Sequence, residues 1–80
     1  MKLMIRNLPP DATQEEVAEL CAHYGTVQEV ALMGQDLDTQ HYWGLVDFSL
    51  RSEALRAAEY LHNTLLRNHK LFAYAFLFFN

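Results

Sequence analysis

The sequence predicts an α+β domain in which a four-stranded antiparallel sheet carries two helices on one face, in the order β-α-β-β-α-β. Three observations point to it. Four segments, Met1–Leu8, Val27–Met33, Tyr42–Phe48 and Lys70–Asn80, alternate or concentrate apolar and β-branched residues as strands do. Two others, opening at Thr13 and at Ser52, join a helix-start signal to apolar residues at helical spacing. The chain has only 80 residues and no linker, repeat or Gly/Ser-rich spacer, so residues 1–80 read as one domain. With 51% apolar and 20% charged residues, that domain is expected to fold on its own core.

Each element follows from its residues. In the first strand Leu3 and Ile5 alternate with Lys2 and Arg6, and Pro9-Pro10-Asp11 ends it because proline brings no ladder donor. Thr13-Gln14-Glu15-Glu16 has the spacing of a capping box, Val17, Leu20, Cys21 and Tyr24 form the apolar stripe behind it, and Gly25 stops the helix. Val27–Met33 and Tyr42–Phe48 make a hairpin across a polar loop that carries Asp36 and Asp38. Ser52 is the expected cap of the second helix, Glu53–Leu61, where Ala54, Ala57, Ala58 and Leu61 form a narrow stripe that lets the helix approach closely. Along the last segment Phe72, Tyr74, Phe76 and Phe78 alternate with Ala73, Ala75 and Leu77, which puts the aromatic rings on one face. The expected core is Ile5, Val17, Leu20, Val30, Leu32, Val46, Phe48, Ala58, Leu61 and Leu71.

Composition excludes several functions. One cysteine, Cys21, forms no internal disulfide and no CxxC pair, so it reads as a core filler. His23, His41, His62 and His69 are scattered without the spacing of a metal site, and neither Ser49 nor Ser52 stands with a base as a nucleophile would. No enzyme, metal or cofactor is therefore expected. No apolar run reaches the roughly 20 residues of a membrane span, and no signal-peptide profile opens the chain, so an intracellular location, nuclear or cytoplasmic, is expected. Six Lys and Arg against ten Asp and Glu give a net charge of -4, unfavourable for holding nucleic acid mainly through phosphates.

The stretch Leu3-Met4-Ile5-Arg6-Asn7-Leu8, followed by Pro9-Pro10-Asp11-Ala12-Thr13 and a helix ending in Tyr24-Gly25, resembles the RNA recognition motif family. Asn7-Leu8 stand at the closing positions of that family's shorter signature. The longer signature, K/R-G-F/Y-G/A-F-V-x-F/Y, is similar to His41-Tyr42-Trp43-Gly44-Leu45-Val46-Asp47-Phe48. Trp43, Gly44, Val46 and Phe48 keep the pattern. His41 replaces the basic residue, Tyr42 the glycine and Leu45 an aromatic, and on the first strand Met4 replaces the usual aromatic. The helix from Ser52 and the stretch Leu71-Phe72-Ala73 resemble the family's closing elements. The resemblance implies a ferredoxin-like fold and weak binding of single-stranded RNA on the open sheet face, where aromatic side chains stack bases.

Strand parity assigns the candidates. If Gly44, Val46 and Phe48 face the helices, Trp43, Leu45 and Asp47 face outward, as do Met4, Arg6, Ala31, Met33, Phe72, Tyr74 and Phe76 on the other strands. Trp43 is then the expected base platform, with Arg6, His41 and Lys70 as polar contacts and Met4 and Leu45 beside it. Phe72 and Tyr74 lie outside the two signatures and enter as an apolar cover or protein contact that RNA can also use. The rival reading uses the same face. In it Met4, Met33, Trp43, Leu45, Phe72 and Tyr74 bind a protein segment or a second copy of the domain, because an exposed apolar patch of that kind marks such contacts. The negative charge, the two lost aromatics and the acidic loop with Asp36 and Asp38 favour the rival; Trp43 and the resemblance favour RNA.

Overall fold

The computed structural model describes residues 1–34 and 42–76. In chain order they form β1 (Lys2–Leu8), α1 (Gln14–Ala22), β2 (Val27–Met33), β3 (Tyr42–Phe48), α2 (Arg51–Leu61), β4 (Leu65–Leu66), β5 (His69–Lys70) and β6 (Phe72–Phe76). β1, β2, β3 and β6 make one antiparallel sheet in the order β2-β3-β1-β6. α1 packs on β2, and α2 on β1, β3 and β6. The acidic loop with Asp36 and Asp38, His41, and the expected strand end at residues 77–80 lie outside the described residues, as does the side-chain direction expected of Phe76.

The parity holds along β1, β3 and the start of β6, whereas in β2 residues 30–33 are all partly buried. Leu3 and Ile5 of β1, Gly44, Val46 and Phe48 of β3, and Ala73 of β6 are buried, and they alternate with partly or fully exposed neighbours. Against them pack Val17 and Cys21 of α1 and Ala54, Ala57 and Leu61 of α2, with Leu8 and Leu71 closing the ends. Four expected core residues, Leu20, Val30, Leu32 and Ala58, are only partly buried. Val30 and Leu32 sit on an edge strand, and Leu20 and Ala58 each stand one position off the buried stripe of their helix. Leu3, Leu8, Cys21, Ala54, Ala57 and Ala73 hold the centre instead. Burial pushes the Cys21 thiol up to about 12, so it stays protonated and inert, as a core filler should.

The helix ends differ in how well their residues announce them. Thr13 caps α1: its backbone is extended and its hydroxyl accepts the Glu16 N–H at 3.0 Å. Ser52 does not cap α2. The cap position is Leu50, whose side chain has no acceptor, and Glu53 does the work by accepting the Leu50 N–H at 3.0 Å and the Ser49 hydroxyl at 2.9 Å. Desolvation opposes its charge, yet the hydrogen bonds from Ser49 and from the backbone of Thr26 and Leu50 hold the Glu53 carboxyl below its ordinary value. Gly25 lies hard against this cap. A Cβ there would stand 2.4 Å from the Cβ of Glu53, so the chain after α1 passes α2 at a distance only glycine allows.

The last strand begins two residues later than the sequence suggests. Lys70 belongs to a small separate hairpin, Leu65 opposite Lys70 and Leu66 opposite His69. Its turn residues Arg67 and Asn68 both have positive φ, 47° and 68°, the pair of values a two-residue type I′ turn demands. Leu71 then crosses from this hairpin into β6. It is fully buried, its N–H donates to the Thr64 carbonyl at 2.8 Å, and its own carbonyl accepts the Asn63 N–H at 2.7 Å.

Candidate nucleic-acid interface

No described element covers the sheet face opposite the helices, and the strand registers arrange its side chains in rows. One row runs Met33, Trp43, Arg6, Phe72 from β2 to β6, and the next runs Ala31, Leu45, Met4, Tyr74. A third begins Glu29, Asp47, Lys2. Residues paired across antiparallel strands point to the same side, with Cβ atoms about 4.5–5.5 Å apart. The sheet therefore brings six of the expected site residues, Met4, Arg6, Trp43, Leu45, Phe72 and Tyr74, onto one surface. Arg6 is exposed, Tyr74 is 47% exposed, and Trp43, Met4, Leu45 and Phe72 are half-buried among their neighbours.

Lys70 and His41 stand apart from that group. His41 lies outside the described residues. Lys70 is exposed in β5, which is held beside the end of β1 by Asn7: the Asn7 amide donates to the Lys70 carbonyl at 2.8 Å. Asn7 reaches it from a left-handed conformation, φ 69°, which asparagine tolerates better than most residues, and the β1 register shifts at this point. Lys70 is thus placed at a corner of the interface rather than on its strands.

Charge on and around the face is largely answered internally. Lys2 Nζ lies 3.6 Å from Asp47 Oδ2, and the Met1 amino group donates to Asp47 Oδ1 at 3.0 Å. The amino group's hydrogen bond, ahead of the Lys2 charge, holds the Asp47 carboxyl below its ordinary value against desolvation. Arg67 is committed elsewhere, to Glu16 and, at 2.9 Å, to Asp11, tying the small hairpin to the start of α1. Arg51 and Arg56 belong to α2. Arg6 stands within one aromatic row and Lys70 at its corner. Such a surface can stack planar rings and hold apolar edges; it offers little for a long run of phosphates. Among the described residues no three His, Cys, Asp or Glu side chains converge as a metal site requires.

One participant was not legible from the strands. His62, at the end of α2, accepts the Ala73 N–H on Nδ1 at 3.1 Å. Its ring meets those of Phe72 and Tyr74 edge-to-face, with centroids 5.8 Å and 5.3 Å away. No local pattern marks it, because the contact depends on how the helix end and β6 meet in space.

Comparison with known proteins agrees with this geometry. Residues 3–71 match the family model described as the RNA recognition motif. The RNA-binding protein MIP6 of Saccharomyces cerevisiae is 29% identical over 69 residues, which is 86% of this chain and 10% of that protein. The multiple RNA-binding domain-containing protein 1 of Mycosarcoma maydis is 32% identical over 77 residues, 95% of this chain and 9% of that protein. The chain therefore spans about a tenth of the length of the curated relatives it matches. Among solved structures, the Mip6 RRM3 domain superimposes with a TM-score of 0.82 at 26% identity, covering 90% of this chain and 87% of that one. With the β2-β3-β1-β6 sheet, the two helices on one face and a family match over residues 3–71, this chain belongs to the RNA recognition motif family.

Proposed function

We propose that the chain binds single-stranded RNA on its open sheet face, with Trp43 as the main base platform. The observation that carries this reading is the register that sets Trp43 of β3 directly beside Arg6 of β1 and Met33 of β2 on a face that no described element covers. A base stacked on the indole has a cation next to it for a phosphate or a base edge, and Met4 and Leu45 supply apolar contact one row away. The RNA-binding names of the relatives support the same reading. Lys70 contributes from the corner, and His41 remains part of the proposed set from the sequence pattern. Affinity rests on stacking and is modest, because Lys2 is occupied by Asp47. The work is binding without catalysis or cofactor, inside the cell.

Trp43 is the chain's single tryptophan, so its fluorescence reports directly on the site. Short single-stranded RNA should quench it. Trp43→Ala should weaken binding by about 1–3 kcal/mol, the worth of one stacked base. Undiminished binding in that variant would move the site off the sheet. No binding at low salt, together with a dimer lost on Leu45→Glu, would instead identify the apolar face as a protein contact.

A further inference from the structure

We propose that His62 is a positioning residue that turns Phe72 and Tyr74 into a second nucleotide platform at the β6 edge, with its own Nε2–H as a donor to the base there. This rests on the RNA-binding reading and extends it across the sheet.

Among the described strands β6 is an outer one, paired with β1 alone. Its outward backbone groups have no partner among the described strands, and such an edge commonly needs covering. His62 covers it at one point, since the Ala73 N–H donates to His62 Nδ1 at 3.1 Å. An ordinary backbone acceptor would satisfy that donor equally well. The imidazole adds something else: it touches both Phe72 and Tyr74, the residues that flank Ala73 and point to the open face. Ala73 itself points into the core. One ring therefore contacts both aromatic groups from the strand edge. Tyr74, 47% exposed, has surface available to a base.

The hydrogen bond also settles the tautomer. An Nδ1 that accepts carries no proton, so the neutral ring bears its proton on Nε2 and presents a donor beside the two aromatic rings. In the row Trp43, Arg6, Phe72 two strand spacings separate Trp43 from Phe72, about 10 Å. Trp43 and the β6 edge therefore address different nucleotides, with Arg6 between them.

The test is a length series. Wild-type protein and the variants His62→Ala and Tyr74→Ala are titrated with a single-stranded RNA dinucleotide and tetranucleotide of the same composition, following Trp43 fluorescence. Long-range proton–nitrogen correlation spectra follow the His62 ring. In the free wild-type protein Nε2 should carry the proton. Lengthening the RNA should raise wild-type affinity and shift the His62 ring nitrogens, and both variants should lose at least about fivefold of the gain between dinucleotide and tetranucleotide. Tyr74→Ala removes an exposed side chain, so it keeps the test sharp if His62→Ala does not fold. The proposal is overturned if the gain survives in Tyr74→Ala, or if the His62 nitrogens stay still while Trp43 responds to the longer RNA. If Trp43 responds to neither RNA, the RNA-binding reading itself fails and this extension goes with it.

Discussion

Neighbouring residues of β1 and β3 meet opposite fates. Leu3, Ile5, Val46 and Phe48 are sealed under the helices, while Met4, Arg6, Trp43 and Leu45, one position out of step, stand on a surface that nothing described covers. The backbone is shared, and so is the register. What differs is the use made of the side chain: on the inner face apolar area is removed from water when the chain folds, worth about 25 cal/mol per Å², whereas on the outer face that area remains available to a ligand. Stability and binding are thereby assigned to alternate residues of the same strands, and substitutions on the two faces should separate cleanly.

The largest effect belongs to the inner face. Phe48→Ala should lower the unfolding free energy by about 3–5 kcal/mol in urea denaturation, because a fully buried ring is replaced by a cavity. RNA affinity of the fraction that remains folded should stay the same. A cost near zero would break the contrast at its root.

Next in size is the outer face. Trp43→Ala, the test of the RNA-binding reading, should remove about 1–3 kcal/mol of RNA affinity, and denaturation should show a smaller stability loss than Phe48→Ala does. If unfolding suffers more than binding, the indole is structural cover and the division of labour is wrong.

This division was legible in the sequence because a strand's side-chain period is two and the inner positions are apolar throughout. Fixing Val46 and Phe48 inward was enough to place Trp43, Leu45 and Asp47 outward, the parity of the other strands did the same for Met4, Arg6, Phe72 and Tyr74, and the registers set these residues side by side. What escaped depended on contacts between distant residues. Ser52 looked like a cap because it precedes Glu53, yet Glu53 reaches back past it to Leu50 and Ser49. The hairpin that takes Lys70 off the last strand turns on Arg67-Asn68, which lacks the glycine that usually signals a type I′ turn. His62 gained its place only when α2 and β6 met. The partial exposure of Val30 and Leu32 follows from strand order, which alternation within one strand does not encode.

Charge gives a finer test. Arg6, Lys70 and Lys2, the last beside Asp47, put about two or three cations near the open face, so log K against log[salt] should fall with a slope of about -1.4 to -2.1, from roughly -0.7 per neutralised phosphate. A slope steeper than about -4 would require a basic surface somewhere other than this face.

The smallest effect lies away from both faces. Arg67 holds the Asp11 carboxyl below its ordinary value, first by a hydrogen bond and then by its charge. A carboxyl depressed in the folded state stabilises above its unfolded pKa, and that stabilisation is lost as pH falls through the folded one. Arg67→Ala should therefore cost slight stability near neutrality, and the gap from wild type should close below about pH 4. RNA affinity should not change. A loss of affinity would extend the interface to the small hairpin.

The central claim is that the ligand occupies the open face, and the most direct measurement is an amide map. The protein labelled with nitrogen-15 is titrated with a short single-stranded RNA, and every backbone amide is followed. Shifts should concentrate in β1, β3 and β6, strongest around Arg6, Trp43 and Tyr74, with α1 and α2 silent. Shifts clustered on the helices, or none at a low salt concentration, would contradict it.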